Sequence, residues 1–364
     1  MKKKTIAVLF GGCSSEYGIS LNSGYAVLSN INRDKYDIVA VGITKDGRWF
    51  RYNGDTENIK NDTWHEDANN CIPAYIVPDT SVHGMLELKN EGVSLTYLDG
   101  VFPVLHGKNG EDGTVQGLIE MAGIPVMGCG TLSSALCMDK YRAHVVAEAA
   151  GVSVPKACSI IGKLPDEDLH NAVSSLTYPL FVKPVNAGSS YGISVIETPD
   201  KLVEAVDLAL EYDDEVIIEE KINGFEVGCS VIGDGKGNEI VGRVDEIELF
   251  NGCFFDYTMK YTGVDSKIHS PGRLDAETEK RINETGKVLF RALGCKGFAR
   301  IDMFLTPEKE IVFSEVNTIP GFTSVSRFPK MMAGVGLEYK DVIDILLNSL
   351  LKVPAFSGTF FNNI

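Results

Sequence analysis

The chain has 364 residues, 44% hydrophobic and 23% charged, with a formal charge of −16 at pH 7. That length exceeds one ordinary core and points to two or three domains, and no apolar run approaches the roughly 18 residues of a membrane span. The acidic balance argues against nucleic acid or an anionic membrane as the main partner, yet leaves room for a local basic pocket. Met1-Lys2-Lys3-Lys4 is basic, but the apolar run Ile6 to Phe10 is short and ends in Gly11-Gly12, which reads as a first strand rather than a signal peptide. A cytoplasmic protein is expected. The eight cysteines (13, 71, 129, 137, 158, 229, 253 and 295) form no CxxC pair, so free thiols are expected in place of disulfides or a zinc site. A nucleophilic Cys13 in its glycine-rich turn is the disfavoured alternative.

Thr5 to Phe10, a glycine turn through Glu16, and a helix carrying Ile19, Ser23, Ala26, Val27 and Asn30 form the opening unit of a doubly wound α/β domain. The turn lacks GxGxxG, so it offers no dinucleotide site. Glu16 either complements the helix dipole or faces a ligand amine. Tyr36 to Ile43 is a second strand. Residues 45 to 98 read as polar and irregular. Val101 to Gly107 is a buried strand, and His106 at its carboxyl end stands where open α/β sheets bind ligands; a hydrogen-bonded turn histidine is the competing reading. Thr114 to Ala122 is a helix, and Ile124 to Met127 a short strand closing the first domain.

A helix runs from Met138-Asp139-Lys140 to the glycine stop at Ala150-Gly151. Leu180 to Pro184 is a strand carrying Lys183. It leads into Ala187-Gly188-Ser189-Ser190-Tyr191-Gly192, whose amides and hydroxyls suit either phosphate cover or a plain hairpin loop; it is not a Walker A loop. Val216 to Glu220 is a strand ending in acids, followed by Gly224-Phe225-Glu226. A long segment through residues 253–272 has the length of a functional loop. Asp275 to Leu293 is an amphipathic helix with Ile282, Gly286, Leu289 and Leu293 on one face.

Two alternating runs, Ile301 to Leu305 and Ile311 to Val316, flank Thr306 to Glu310 and predict an antiparallel hairpin. A turn symmetric about Glu308 and Lys309 sets Asp302 opposite Glu315, with Asn317 on the same face. Opposed carboxylates repel across a ladder. They make sense around a cation such as Mg²⁺, or as a solvated acidic edge. Spacing alone leaves both readings open.

The order of these segments carries more than any one of them. LFGGCSSE (9–16), LHGKNGEDGTVQG (105–117), MDK (138–140), FVKP (181–184), AGSSYG (187–192), DYTMKY (256–261), ARIDMF (299–304) and EVNTIPGFTSVS (315–326) resemble, block by block, the D-alanine–D-alanine ligase family of the ATP-grasp fold. The resemblance implies an N-terminal doubly wound α/β domain (1–128) and two ATP-grasp domains (129–222 and 223–364) holding ATP between them, usually in a homodimer. It implies that Glu16 meets the first substrate's amine and that His106 lies near the substrate carboxylates. Lys140 and Lys183 would hold ATP phosphates, with Ser189 and Ser190 in the covering loop. Ser189 would also position Glu16 and the Lys260–Tyr261 pair of the closing loop. Glu219 and Glu220 would lie by adenine, and Glu226 by ribose. Asp302, Glu315 and Asn317 would ligate two Mg²⁺ ions, with Mn²⁺ as an alternative. Arg300 and the Gly321 N–H would stabilise an oxyanion.

In the tail block Gly-Phe-Thr-Ser-Val-Ser-Arg-Phe-Pro (321–329), Arg327 replaces the leucine of housekeeping members and resembles the vancomycin-resistance ligases. Lys260 and Tyr261 disfavour a D-lactate product, although His269 later in the loop tempers that exclusion. Glu246-Ile247-Glu248-Leu249 ahead of Phe254-Phe255-Asp256-Tyr257 resembles the D-alanine–D-serine branch. Arg327, with Ser326 beside it, offers donors to a hydroxymethyl group that leucine lacks. The expectation is an enzyme ligating D-alanine to D-serine for peptidoglycan precursors with reduced vancomycin binding. D-alanine–D-alanine ligation is the alternative, and a non-catalytic nucleotide-binding protein the alternative of another class.

Overall fold

The structure is a computed structural model and describes residues 3–188, 191–250 and 266–351. The candidate residues Ser189, Ser190, Lys260 and Tyr261 lie outside the described residues, as does most of the 253–272 segment. The chain divides into two compact units: Met1–Ser134 with Lys296–Phe298 and Ile319–Ile364, and Ala135–Cys295 with Ala299–Thr318.

The first unit is built on a seven-stranded sheet in the order β6-β5-β4-β3-β2-β1-β7. Strands β1 (Lys4–Gly11), β2 (Tyr36–Ile43) and β7 (Gly100–Pro103) are parallel neighbours. β3 (Trp49–Tyr52), β4 (Cys71–Ile76), β5 (Gly84–Lys89) and β6 (Gly92–Tyr97) extend the sheet in antiparallel fashion. Residues 45–98 therefore are not irregular, as their sequence suggests. Their strands are short and one-sided, broken by Asn and Asp turns, so no buried apolar run marks them. Helix α1 (Tyr17–Asn30) packs so closely on β1 that a Cβ at Gly24 would stand 2.5 Å from that of Phe10. The short α2 (Thr56–Lys60) follows, and α3 (Thr114–Met121) puts Val115 and Ile119 on Ala7, Leu9 and Val41. The strand expected at Ile124 to Met127 is only an isolated bridge, Val101 to Val126. α4 (Thr131–Met138), unforeseen in the sequence, runs into the second unit.

In the second unit α5 (Lys140–Ala149) is capped by Asp139, which accepts from the Arg142 N–H. A four-stranded sheet, β10-β9-β11-β8, is formed by β8 (Ala157–Ile161), β9 (Leu180–Pro184), β10 (Ser194–Ile196) and β11 (Glu215–Glu220). One face buries Leu180, Val182, Val216 and Ile218 under α6 (Asp166–Ala172) and α7 (Leu202–Leu210). Alternation sends Phe181, Lys183, Ile217 and Glu219 to the other face.

The second sheet of this unit contains β12 (Phe225–Gly233), β13 (Ile240–Val241), β14 (Asp245–Leu249), β15 (Ser266–His269), β16 (Gly297–Leu305) and β17 (Ile311–Asn317). It is covered by α8 (Ala276–Ala292), capped by Asp275, whose buried face is Thr278, Ile282, Gly286, Leu289 and Phe290. The last described segment returns to the first unit as α9 (Arg327–Ala333) and α10 (Tyr339–Leu350).

Candidate active site

The expected site residues fall into two sets, one in each unit. In the first unit Glu16 is buried at the start of α1. Its backbone N–H is held by the Ser14 hydroxyl, which also donates to the His106 carbonyl at 2.7 Å. Gly107 follows with φ +72°, and a Cβ there would lie 2.4 Å from Glu16 Oε2. The positive φ favours glycine here, and a side chain would press on this carboxylate.

His106 is buried, and both ring nitrogens have protein partners. Nδ1 lies 2.9 Å from the Ile319 carbonyl and Nε2 2.9 Å from Ser23 Oγ. A carbonyl only accepts, so Nδ1 carries a proton. Ser23 Oγ in turn accepts from the Phe322 N–H, and Glu111 Oε1 accepts from the Ile319 N–H at 3.0 Å. These bonds fasten the backbone on both sides of Gly321. Beyond it, Ser326 Oγ accepts from the Thr323 N–H and lies 2.8 Å from Thr323 Oγ1, closing a tight turn ahead of Arg327, the first residue of α9. Ser14, Ser23 and Glu111 were missed in the sequence. Only the serine pair and the Glu111 inside the LHGKNGED run hint at them, and polar residues near glycines are too common to single out.

The second unit holds a cavity of about 640 Å³ whose lining includes Lys140, Lys183, Glu219, Glu220, Glu226 and Glu315. Lys183 and Glu219 form an ion pair across β9 and β11, with the Lys183 ammonium 5.0 Å from the Phe181 ring centre. Glu219 Oε2 is buried without a hydrogen-bond partner among the described residues. Lys140 Nζ donates to the Ala187 carbonyl at 2.6 Å, tying α5 to the loop after β9. Glu220 accepts from the Thr177 N–H at 2.8 Å. Two cationic lysines beside an apolar wall of Ile193, Val195, Ile247 and Phe304 suit a ligand with a flat apolar end and an anionic end.

At the cavity margin Arg273 grips Glu246 at 2.5 Å and Glu248 at 3.0 Å, and His269 Nε2 meets Glu248 at 2.7 Å. Burial would raise the Glu246 carboxyl, but hydrogen bonds and charge from Arg273 outweigh it and hold the group below its ordinary range. Glu248 is lowered by His269 first and Arg273 second. Arg273 gave no sequence signal, because its partners lie 25 and 27 residues away.

The β16–β17 hairpin places Asp302 opposite Glu315 and Arg300 opposite Asn317. The route differs from the symmetric turn expected between Glu308 and Lys309. Near the turn the pairs are Leu305–Ile311, Phe304–Val312 and Met303–Phe313, a register centred on Glu308, with Lys309 at φ +63°. A bulge at Ser314 then shifts β17 by one residue and brings Glu315 to Asp302. Asp302 is 2% exposed. It accepts a fork from Arg300 (2.7 and 2.9 Å) and a bond from Asn317 Nδ2 at 3.0 Å. Since the Asn317 nitrogen faces Asp302, its oxygen is the atom it can offer a cation. Among the described residues no group of three or more His, Cys, Asp or Glu converges as a metal cage. Two carboxylates and an amide nevertheless fit Mg²⁺, which favours few protein oxygens completed by phosphate and water.

Among the described cysteines none is in a disulfide; Cys129, Cys137, Cys229 and Cys295 are buried, and burial pushes the Cys229 thiol up to about 12. Cys13 is exposed.

Comparison with known proteins decides the family. The D-ala D-ala ligase N-terminus model matches residues 5–129, and the D-ala D-ala ligase C-terminus model matches 147–348. The chain belongs to the D-ala D-ala ligase family. It is 41% identical to the vancomycin/teicoplanin A-type resistance protein VanA of Enterococcus faecium, covering 97% of this chain and 100% of that one. It is 38% identical to the D-alanine–D-alanine ligase of Caldicellulosiruptor bescii, covering 97% and 96%. The solved VanG D-Ala:D-Ser ligase from Enterococcus faecalis superposes with a TM-score of 0.89 at 55% identity, covering 96% of this chain and all of that one. Membership brings the ATP-grasp fold, with several sheets in a mixed α/β chain. It also brings the use of ATP and a divalent metal by a ligase acting on D-amino acids. Among the described residues of this family member, no helix is long and apolar enough to cross a membrane.

Proposed function

We propose that this chain is an ATP-dependent ligase that joins D-alanine to D-serine through an acyl phosphate. The product would supply peptidoglycan precursors with reduced vancomycin binding. The observation that carries the ligase reading is the cavity of about 640 Å³ lined together by Lys140, Lys183 and the Glu315 of the hairpin. The serine assignment is supported by Arg327 in the tail block and by likeness to the VanG D-Ala:D-Ser ligase. In the same proposal the domains divide at 128 and 222, and the enzyme is a cytoplasmic homodimer.

The D-alanine carboxylate attacks the γ-phosphate of ATP, forming acyl phosphate and ADP. The amine of the second D-amino acid then attacks the acyl carbon, and phosphate leaves. Lys140 and Lys183 hold phosphate oxygens, Glu226 takes the ribose, and Glu219 and Glu220 stand by adenine. Asp302, Glu315 and Asn317 hold Mg²⁺ (or Mn²⁺), which supplies charge neutralisation at the transferred phosphoryl group. Glu16 receives the amine of the first substrate and His106 orders its surroundings. Arg300 and the Gly321 N–H are assigned to the tetrahedral oxyanion. Ser189, Ser190, Lys260 and Tyr261 are assigned to phosphate cover, to positioning and to exclusion of water from the acyl phosphate.

ADP release, measured with D-alanine alone and then with D-serine added at neutral pH, tests the reading. Release that rises with D-serine and exceeds the rate with D-alanine as second substrate is expected. No turnover under either condition defeats the ligase reading in favour of a nucleotide-binding protein, and a preference for D-alanine defeats only the serine assignment. Arg327→Leu should move second-substrate preference from D-serine toward D-alanine by about tenfold, the worth of one or two hydrogen bonds. An unchanged ratio of kcat/KM values would remove Arg327 from specificity.

A further inference from the structure

The face on which Glu315 emerges depends on where β17 places its one extra residue. Ser314 is that residue: Met303 pairs with Phe313 and Asp302 with Glu315, so Ser314 has no ladder position of its own. The extra residue of a bulge leaves the regular ladder, and here its carbonyl is held from outside the sheet. His144 Nε2 donates to the Ser314 carbonyl at 2.8 Å. His144 follows Lys140 by one turn of α5, so the two side chains share a face of that helix. Its ring is buried and meets Phe313 edge-on, with centroids 5.5 Å apart at 73°. Nδ1 has no hydrogen-bond partner among the described residues. The bond to Ser314 is thus the polar contact that orients this ring. Burial lowers the imidazole below its ordinary range, against the opposing pull of Glu219; the Ser314 carbonyl only accepts, so Nε2 carries a proton.

We propose that His144 is a positioning residue for the metal-binding hairpin, fixing the bulge at Ser314 so that Glu315 emerges opposite Asp302. A bulge moved one residue along β17 would set Ser314 against Asp302 and turn Glu315 to the other face, because side chains alternate with a period of two. The inference rests on the proposed metal role of Asp302, Glu315 and Asn317. It adds a residue that touches neither substrate nor ion.

The test uses the full chain with Mn²⁺ as probe, its uptake followed by the loss of the free-Mn²⁺ resonance in the presence of ADP. His144→Phe keeps the ring and removes the donor; His144→Gln keeps an N–H for Ser314; His144→Leu is a second variant without a donor should the phenyl ring not fit. Removing the donor should weaken Mn²⁺ uptake by about tenfold or more, while Gln stays within about threefold of wild type, the scale seen when a ligand's supporting group is removed. ADP binding without metal should be unchanged, and the KM for Mg²⁺ should rise more than the KM for ATP at saturating Mg²⁺. Uptake by His144→Phe or Leu equal to wild type overturns the role of His144, and so does an equal loss in Gln and Phe, which would reflect packing alone. Glu315→Gln serves as reference. Wild type binding Mn²⁺ no better than Glu315→Gln overturns the metal reading itself, a result distinct from wild-type binding that His144 variants share.

Discussion

Two hairpins in this chain each bury a carboxylate, and they answer it in opposite ways. In β5–β6 the ladder runs unbroken from Gly84–Tyr97 to Lys89–Gly92, and Glu87 lies opposite Ser94. Its fully buried side chain accepts from Arg51 at 2.7 Å and from Thr96 at 2.5 Å, with the Lys89 ammonium 3.5 Å away. That acid is satisfied within its own sheet. In β16–β17 the equally buried Asp302 receives Arg300 and Asn317, but a bulge sets a second carboxylate directly opposite it. Like charges across a ladder oppose pairing, so this acid pair leans on Arg300 and Asn317 and, in the proposed reading, on a divalent cation as well.

The contrast can be broken first at its strongest point. Glu315→Gln should lower the rate of ADP release by about 100-fold or more, while resistance to urea in the metal-free protein stays level or rises by about 0.5 kcal/mol as the repulsion is relieved. Retained turnover would return the hairpin to the status of a charged edge. Glu87→Gln should do the reverse. Loss of a charged acceptor beside Arg51 should cost about 2 kcal/mol in urea unfolding of the first unit, with kcat unchanged. A fall in kcat at unchanged stability would end the distinction.

A smaller effect sharpens it through pH. Burial raises the Glu87 carboxyl, but Thr96 and Arg51 outweigh burial, so its folded pKa lies below the ordinary 4.5. A depressed carboxylate stabilises above its unfolded pKa and loses that contribution as pH falls through the folded value. Wild-type stability should therefore decline below about pH 4.5 more steeply than that of Glu87→Gln. Parallel pH profiles for the two proteins would show that Glu87 is not stabilised by its ion pair.

The sequence marked some elements accurately and passed over others for a common reason. β2 and β9 have the bounds their runs suggest, because Ile38 to Ile43 and Leu180 to Val182 are near-continuous apolar stretches that stand out from their polar flanks. β3 to β6 lie in an antiparallel extension with one exposed face, where Tyr75, Leu88, Val93, Leu95 and Tyr97 look to solvent beside polar neighbours, so neither a run nor a clean alternation stands out. Lys183 and Glu219 were legible as charged groups near strand ends, but their pairing across β9 and β11 was not. The roles of Ser23, Glu111, His144 and Arg273 were hidden for the same reason, because each acts on a partner distant in sequence.

By itself the sequence determined the family, through eight motif blocks in order, and the chemical types of the candidate site: two lysines, acids at strand ends, and an Asp–Glu–Asn set on one hairpin. It also put Asp302 opposite Glu315, though through a turn geometry the chain does not adopt. Only the tertiary structure decided how that pairing is reached. Strand register is a sum of many weak backbone bonds that a single extra residue can shift. Where β17 places that residue is governed by what packs against it, the His144 ring on α5, some 170 residues earlier in the chain.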